Sequence, residues 1–307
     1  MLKIIVPATS ANLGPGFDSL GLALALYNTV QITPSVITSI QITGEGKNSM
    51  HLRTHNVFVK IFNQILARYD IKAECKFLFH NDIPVARGLG SSSAVIVSAI
   101  YAAFLFMKRP IDKQEILNLA IEYEKHPDNI TPATFGGFNV ATLEHSEMHK
   151  KSKEQLQQNV IHINAPIPSE LRAVVIVPNK SMNTKLSRKS LPKLYTAKDC
   201  VFNLSHSSLL SAAFLTHSWD KLAFASRDRI HQNARMKSFP ILFKIQSLAL
   251  QNGALLSTLS GSGSSILSIC YAESSKHLAH ILAQHFPKYK VLELGFDNEG
   301  VREVQKA

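Results

Sequence analysis

A glycine- and serine-rich loop that runs directly into a long apolar segment limits what this chain can fold into. Residues 84–94 read PVARGLGSSSA, and the apolar segment continues to Met107. Two glycines in the loop are free to adopt positive φ angles, which lets the backbone approach a ligand closely. A helix over 91–107 would leave its first N–H groups unpaired at the positive end of its dipole, a site suited to phosphate. The residues predicted to form this site are Pro84, Arg87, Gly88, Leu89, Gly90, Ser91, Ser92, Ser93 and Ala94.

This loop differs from the two commonest nucleotide-binding patterns. It contains neither the GK[ST] ending of a Walker A loop nor the spacing GxGxxG. Its serine hydroxyls add groups that can bind phosphate oxygens or a magnesium ion. The alternative interpretation is a plain glycine turn capped by serine, but the three consecutive serines and the apolar helix behind them favour a phosphate site.

The order of the predicted elements indicates an α+β fold. The chain has 307 residues, 45% of them apolar, which is enough for two domains with buried cores. Helical and strand patterns alternate without the regular βαβ rhythm of a doubly wound sheet. The sequence APIP at 165–168 is the predicted boundary, so we expect one domain over 1–165 and a second over 166–307.

Two local predictions concern the polar segments of the first domain. Asp112 and Glu115 have the spacing of a helix N-cap and its N3 partner, so we expect a helix to begin there. That helix should end at His126-Pro127, because the residue before a proline disfavours the helical conformation. Residues 144–158 are expected to form a polar, charged, hairpin-like insertion between two strands.

The net charge of +11 allows two interpretations. One is a nucleic-acid-binding surface, and the other is a basic protein that handles anionic small ligands. The densest basic stretch, residues 180–198, contains six lysines and arginines but a single aromatic residue, Tyr195. It therefore lacks the stacking platform of a single-strand binder, and we favour the second interpretation.

Cysteine usage and hydropathy indicate the compartment. Cys75, Cys200 and Cys270 are widely spaced and form no CxxC pair, as expected in a reducing compartment. The N-terminal residues carry one lysine and a short apolar run, unlike a signal peptide. No uncharged apolar stretch reaches about 18 residues, so no membrane span is expected. A cytoplasmic location follows by elimination.

Four motifs along the chain resemble those of the GHMP kinases, a family named for galacto-, homoserine, mevalonate and phosphomevalonate kinases. PVARGLGSSSA is similar to the phosphate loop of the family. PATSANLGPGFD at 7–18 and HPDN at 126–129 resemble the N-terminal motif and the substrate loop of the members that act on homoserine. LSGSGS at 259–264 is similar to the C-terminal glycine motif. The motifs stand in the family's order and span most of the chain.

The resemblance implies a fold and a reaction. The expected fold has an N-terminal, ATP-binding domain like domain 2 of ribosomal protein S5 and a ferredoxin-like C-terminal domain. The expected reaction uses ATP and Mg²⁺ to phosphorylate L-homoserine to O-phospho-L-homoserine in threonine biosynthesis. Two alternatives stay open: another small-molecule kinase of the family, and a nucleotide-binding regulator that has lost catalysis. A homodimer is one option for the assembly.

The charged groups of the other motifs are candidates for binding the two ends of an amino acid. Asn12 and Asp18 lie on a Gly/Pro-rich loop, where Asp18 could hold an ammonium group or could be the carboxylate of an Asx turn. The resemblance implies that Asp18 contacts the substrate amino group. It also implies that Arg188 and Arg235 grip the substrate carboxylate, a task suited to a planar guanidinium. Thr184 is expected on the same helical face as Arg188.

The HPDN segment is the candidate for the reacting centre. By the resemblance, Asn129 orients the hydroxyl, with His126 nearby, and Asp128 is the carboxylate that could act as a general base. Glu124 and Ser92 would hold Mg²⁺. The family usually has glycine where this chain has Lys125, and a polar turn is the alternative interpretation of the segment.

The remaining matches predict nucleotide contacts of lower specificity. Gly261 and Gly263 form a second glycine turn that could press against the phosphate loop, and a plain β-turn is the alternative. Asn56 matches the family's adenine-side position. The family often has Pro-Tyr before the second arginine, where this chain has Asn233-Ala234.

Overall fold

The computed structural model describes residues 1–144, 158–182 and 184–304, and it confirms an α+β architecture. Most of the predicted insertion at 144–158 lies outside the described residues. Strands are β1 (Leu2–Ala11), β2 (Leu20–Pro34), β3 (Ser39–Gly44), β4 (Cys75–Asn81), β5 (Phe138–Leu143), β6 (Val160–Ala165), β7 (Leu171–Val177), β8 (Leu256–Leu259), β9 (Ile266–Tyr271), β10 (Lys290–Leu294) and β11 (Arg302–Glu303). Helices are α1 (Met50–Thr54), α2 (Val57–Ala67), α3 (Ser91–Phe106), α4 (Lys113–Ala120), α5 (Pro127–Phe135), α6 (Thr184–Lys189), α7 (Ala197–Leu215), α8 (Leu222–Ala225), α9 (Gln232–Met236), α10 (Ile241–Gln251) and α11 (Ala272–His285).

The first sheet is organised around the long strand β2. Its strand order is β11-β1-β2-β4-β3, and β5 pairs with the other end of β2 while β6 pairs with β5. Strands β1 and β2 are antiparallel along their length, with a register shift between Pro7 and Ala8. β1 ends at Ala11, so it leads directly into the loop that carries Asn12 and Asp18.

Helix α3 is buried on nearly all sides because it lies between the first sheet, α2 and α5. Its apolar residues form no single stripe, as expected of a helix surrounded by protein. The structure confirms the predicted helix, which begins directly after Gly90. Even so, none of the described helices is long and apolar enough to cross a membrane.

The segment between α4 and β5 differs from the prediction. Asp112 caps α4 as expected, with its side chain accepting hydrogen bonds from two backbone N–H groups, but α4 already ends at Ala120. His126 is the N-cap of a new helix, α5, which has Pro127 in its first turn. The prediction of a loop at HPDN was wrong, because proline is well suited to the first helical position, where its missing N–H removes no bond.

The second sheet has the order β10-β7-β9-β8 and is antiparallel throughout. Alternate residues of β7 face two cores: Ala173 and Val175 pack in the core of the first sheet, and Val174 and Ile176 pack beneath α10 and α11. The two sheets therefore share a buried interface. The chain passes between them after β6, although β11 returns to pair with β1, so the division at 165 and 166 stays a prediction.

Candidate active site

The loop before α3 consists of left-handed turns. Ala86, Gly88 and Gly90 have φ angles of 55°, 78° and 67°. A Cβ atom on Gly90 would lie 1.8 Å from Thr9 Oγ1, and one on Gly88 would lie 2.2 Å from the carbonyl oxygen of Ser260. No side chain within the described residues caps α3, so its first N–H groups are available to bind an anion.

The predicted phosphate-binding residues divide by exposure. Ser92 is exposed, Ser91 is half-buried and Ser93 is buried, so the three hydroxyls are not equivalent. The other side chains of the loop that were predicted to contact a nucleotide point into the protein core, which leaves only their backbone groups to face a ligand. These are Pro84, Leu89 and Ala94.

Arg87 fastens the loop to the second sheet. Its guanidinium donates hydrogen bonds to the carbonyl oxygens of Pro178 at 3.0 Å and Asn179 at 3.1 Å, just beyond the end of β7. The carbonyl oxygen of Arg87 accepts a hydrogen bond from the backbone N–H of Ser265 at 3.0 Å. These contacts indicate that Arg87 holds the loop in place.

Asn129 lies beside the start of α3. Thr9 Oγ1 donates a hydrogen bond of 2.7 Å to Asn129 Oδ1, and a Cβ on Gly90 would lie 3.2 Å from the same oxygen. Asn129 Nδ2 is 3.4 Å from Asp128 Oδ1. The HPDN segment and the phosphate loop therefore meet across the end of β1, as the sequence motifs require.

Asp128 is a buried carboxyl group next to this junction, with 5% of its surface exposed. Burial, followed by the negative charge of Asp18, raises its pKa to about 7. His126 lies between two other carboxylates, with Nδ1 at 3.6 Å from Glu124 Oε1 and Nε2 at 3.9 Å from Asp18 Oδ2. The interaction of His126 with the Glu124 carboxylate is the main reason that the pKa of His126 is raised.

Asp18 and the two predicted arginines converge on the ring of Phe17. Arg188 Nη2 donates to Asp18 Oδ1 at 2.6 Å. The guanidinium carbons of Arg188 and Arg235 lie 5.1 and 5.2 Å from the centre of the Phe17 ring, within range of cation–π attraction. One carboxylate and two guanidinium groups are thus brought to one place, which complements the opposite charges of an amino acid.

Arg235 is almost fully buried, with 3% of its surface exposed. Its Nη1 donates to the carbonyl oxygen of Gly261 at 3.0 Å and lies 3.2 Å from His231 Nδ1. Its Nε is buried and has no hydrogen-bond partner among the described residues. Burial, reinforced by the charge of Arg188, lowers its pKa, and a buried donor of this kind is stabilised by an anionic acceptor.

The second glycine turn contacts the same pocket. Asn12 Nδ2 donates to the carbonyl oxygen of Gly261 at 3.1 Å, so Asn12 and Arg235 share one acceptor. Asn12 Oδ1 accepts a hydrogen bond of 3.0 Å from the backbone N–H of Asp18, which orders the Asp18 loop. Gly263 donates its N–H to Ser260 within the turn. The turn therefore adjoins the arginines as well as the phosphate loop.

Two further predicted site residues lie at the N-terminal ends of helices. Asn56 is the N-cap of α2, and its Oδ1 accepts a hydrogen bond from the backbone N–H of Val59 at 3.2 Å. Its nucleotide contact stays a prediction. Thr184 begins α6, but its side chain lies outside the described part of the chain.

Three residues of the site were missed by sequence reasoning. Thr9 orients Asn129, the Phe17 ring lies within cation–π range of both arginines, and His231 contacts Arg235. Thr9 and Phe17 belong to the PATSANLGPGFD motif, and His231 stands one helical turn before Arg235. Considering every polar and aromatic residue within the motifs would have found Thr9 and Phe17, and considering the residue one helical turn before Arg235 would have found His231.

Comparison with known proteins gives consistent matches along the chain. The family models for the GHMP kinases N terminal domain and the GHMP kinases C terminal match residues 56–137 and 210–288. A homoserine kinase from Helicobacter hepaticus is 59% identical over 305 residues, covering 99% of this chain and 100% of that protein. A homoserine kinase from Wolinella succinogenes is 52% identical, covering 98% and 99%.

Solved structures have the same fold. The crystal structure of homoserine kinase from Cytophaga hutchinsonii superposes with a TM-score of 0.84 at 24% identity, covering 99% of this chain and 97% of that one. A crystal structure of mevalonate kinase superposes with a TM-score of 0.69 at 15% identity, covering 97% and 100%. At these identities the superpositions carry information about the fold alone.

Proposed function

This chain belongs to the GHMP kinase family, and we propose that it transfers the γ-phosphoryl group of ATP to the side-chain hydroxyl of L-homoserine. The product is O-phospho-L-homoserine, an intermediate of threonine biosynthesis. The observation that carries this assignment is that the HPDN segment contacts both an uncapped helix start, through Asn129 and Thr9, and a pocket with one carboxylate and two guanidiniums, through His126 and Asp18. Relatives named homoserine kinase that match along nearly the whole chain support the choice of acceptor.

The phosphates of ATP would bind at the loop before α3. Phosphoryl transfer passes through a loose transition state, so the protein contributes mainly positioning and charge stabilisation. The backbone N–H groups of residues 88–93 and the positive end of the α3 dipole supply fixed partial charges. The Ser91 and Ser92 hydroxyls are accessible and can donate to phosphate oxygens.

The amino acid would bind by its two charged ends. Asp18 would receive the ammonium group, and Arg188 and Arg235 would bind the carboxylate. Holding both ends leaves the hydroxyl as the one free reactive group, directed toward the start of α3. Such fixed geometry can lower the barrier by about 7–11 kcal/mol.

Asn129 would orient the hydroxyl, because Thr9 fixes its side chain next to the phosphate loop. Asp128 is the one carboxyl group within the HPDN segment. Its pKa of about 7 would suit a general base near neutral pH, but the loose transition state of phosphoryl transfer does not require early removal of the hydroxyl proton. We therefore propose that turnover depends on Asn129 and tolerates the loss of the Asp128 charge.

Ser92 and Glu124 fit a magnesium ion by the chemistry of their donors. Mg²⁺ binds hard oxygen ligands and typically takes one or two protein groups, with phosphates and waters completing its shell. Among the described residues no group of three or more His, Cys, Asp or Glu side chains could hold a metal ion. The proposed site has two protein ligands, and the phosphates and water would supply the others. When bound, the ion would neutralise phosphate charge.

A coupled assay of ADP release tests the proposal. We expect ATP turnover that depends on L-homoserine and is weak with galactose, mevalonate or L-serine. Preferred turnover of a sugar or mevalonate would instead indicate another kinase activity of the family. ATP binding without acceptor-dependent ADP release, together with salt-sensitive nucleic-acid affinity, would indicate a regulator that has lost catalysis.

We include a cytoplasmic location in this proposal. Cys75, Cys200 and Cys270 are all free thiols in the structure, which suits a reducing compartment. The homodimer stays a prediction that measurement of the molar mass in solution would test.

A further inference from the structure

His231 connects two separate parts of the amino-acid pocket, and its side chain is completely buried. Its Nε2 lies 2.7 Å from the carbonyl oxygen of Gly14, in the loop that leads to Asp18. Its Nδ1 lies 3.2 Å from Arg235 Nη1. The ring also stacks on Phe17 with 5.0 Å between ring centres. One imidazole therefore contacts both the loop proposed to bind the ammonium group and the arginine proposed to bind the carboxylate.

The partners of the two ring nitrogens determine where the proton lies. A carbonyl oxygen can only accept a hydrogen bond, and a guanidinium nitrogen can only donate one. Nε2 must therefore carry the proton that goes to Gly14, while Nδ1 must keep a lone pair for Arg235. Only one neutral tautomer satisfies both contacts. Burial lowers the pKa of His231 to about 4, so this neutral form persists at physiological pH.

A buried carboxylate holds the backbone around this histidine. Asp228 accepts hydrogen bonds from the backbone N–H groups of His231 at 2.9 Å and Gln232 at 2.7 Å. It also accepts one from Asn203 Nδ2 at 2.7 Å. These bonds fix the start of α9, the helix that carries Arg235, so the position of the imidazole is determined independently of Arg235.

We propose that His231 is a positioning residue that holds Arg235 in register with the Gly14 loop and thereby determines how tightly the carboxylate of the amino-acid acceptor is bound. This inference rests on the proposed function, because it concerns the acceptor of that reaction. Substitution of His231 should therefore change the binding of the amino acid and not the binding of ATP. The KM for L-homoserine should depend on the two hydrogen bonds of His231, and the KM for ATP should not.

The test compares two variants. His231→Leu fills the buried space but removes both hydrogen-bonding nitrogens, whereas His231→Gln keeps one donor and one acceptor. Each variant is assayed with L-homoserine and with 3-aminopropan-1-ol, which has the hydroxyl and the ammonium group but no carboxylate. If the analogue is not phosphorylated, its Ki against L-homoserine gives the same comparison. Melting temperatures and the KM for ATP serve as controls for folding.

We expect His231→Leu to raise the KM for L-homoserine by about ten- to a hundredfold, as for a lost hydrogen bond to a charged group. His231→Gln should restore most of this loss. Both variants should weaken binding of the carboxylate-free analogue much less than binding of L-homoserine. An unchanged KM for L-homoserine in His231→Leu, or an equal loss with both acceptors, would overturn the inference.

A measurement on the unaltered protein decides the matter if His231→Leu does not fold. Nitrogen-15 NMR of the ring should show protonated Nε2 and unprotonated Nδ1 at pH 7, and an imidazolium or the opposite tautomer would overturn the inference. Failure of the proposed function is distinguishable, because the unaltered protein would then release no ADP in response to L-homoserine.

Discussion

The phosphate loop and the amino-acid pocket perform neighbouring tasks but are built in opposite ways. The phosphate loop is one continuous segment whose ligand-facing groups are mainly backbone N–H groups, held by glycines at positive φ. The pocket is assembled from side chains of both halves of the chain, namely Asp18, Arg188 and Arg235. Adding a Cβ atom to the loop should therefore impair the use of ATP, whereas removing a functional group from the pocket should impair the use of L-homoserine.

Adding one methyl group to the phosphate loop should have the largest effect. Gly90→Ala would place a Cβ 1.8 Å from Thr9 Oγ1 at a φ of 67°, so the start of α3 and the Thr9–Asn129 contact must both shift. We expect kcat/KM for ATP to fall by about a thousandfold, because several transition-state donors are displaced together. Steady-state kinetics at saturating L-homoserine measure this.

Gly253→Ala is the matched control for that prediction. Gly253 has a φ of 89°, but no described atom lies within 4 Å of the added Cβ. This variant should lose about 1 kcal/mol of stability from backbone strain and keep its turnover. Similar losses of activity in both variants would mean that strain, and not the geometry of the phosphate loop, explains the effect.

Removing a functional group from the pocket should have the next largest effect. Arg235→Ala deletes a buried guanidinium with an unpaired Nε, so we expect kcat/KM for L-homoserine to fall by about a hundred- to a thousandfold. The KM for ATP should change little. Arg229→Ala is the control, because Arg229 is exposed and pairs with Asp199 at 3.5 Å. If both arginine variants bind L-homoserine equally well, Arg235 does not bind the carboxylate.

The same contrast explains what could be predicted from sequence. The phosphate loop was predictable because its chemistry is local: glycines, serines and an apolar helix follow one another without a break. The Asp18–Arg188 pair was not, because 170 positions separate its members and no periodicity links them. Only the family motifs indicated that both belong to one site, and even they did not indicate that both arginines would lie against the ring of Phe17.

The burial of individual polar side chains was also not predictable from the sequence. HPDN has the composition of a polar turn, yet tertiary packing makes it the first turn of α5 and buries Asp128. The burial that raises the pKa of Asp128, and the charge of Asp18 that adds to it, arise from tertiary packing. Local propensity therefore predicted the wrong secondary structure and gave no sign of the altered pKa.

The junction between the two regions gives a third prediction. Asn129→Ala removes the group that Thr9 orients beside Gly90, and we expect kcat to fall by about a hundredfold. Asp128→Asn keeps the shape and should retain turnover within about threefold, because a loose transition state does not require a strong base. A large loss in Asp128→Asn with a retained rate in Asn129→Ala would reverse these roles.

The stability of Asp128→Asn, relative to that of the unaltered protein, should depend on pH. The folded-state pKa of Asp128 is about 7, above the unfolded value of about 3.9, so the folded protein binds more protons between these limits. This carboxyl group therefore lowers the stability of the unaltered protein as pH rises through that window. Relative to the unaltered protein, Asp128→Asn should gain about 2–4 kcal/mol on going from pH 4 to pH 8.

Urea unfolding at both pH values measures this gain. Asp220→Asn is the control, because Asp220 is exposed and pairs with the adjacent Lys221, so its substitution should have nearly the same effect at pH 4 and pH 8. A difference between Asp128→Asn and the unaltered protein that stays constant with pH would show that Asp128 has the same pKa in the folded and the unfolded protein. In that case the junction would hold an ordinary carboxylate next to Asn129, which is charged at neutral pH and too weakly basic to act as an efficient general base.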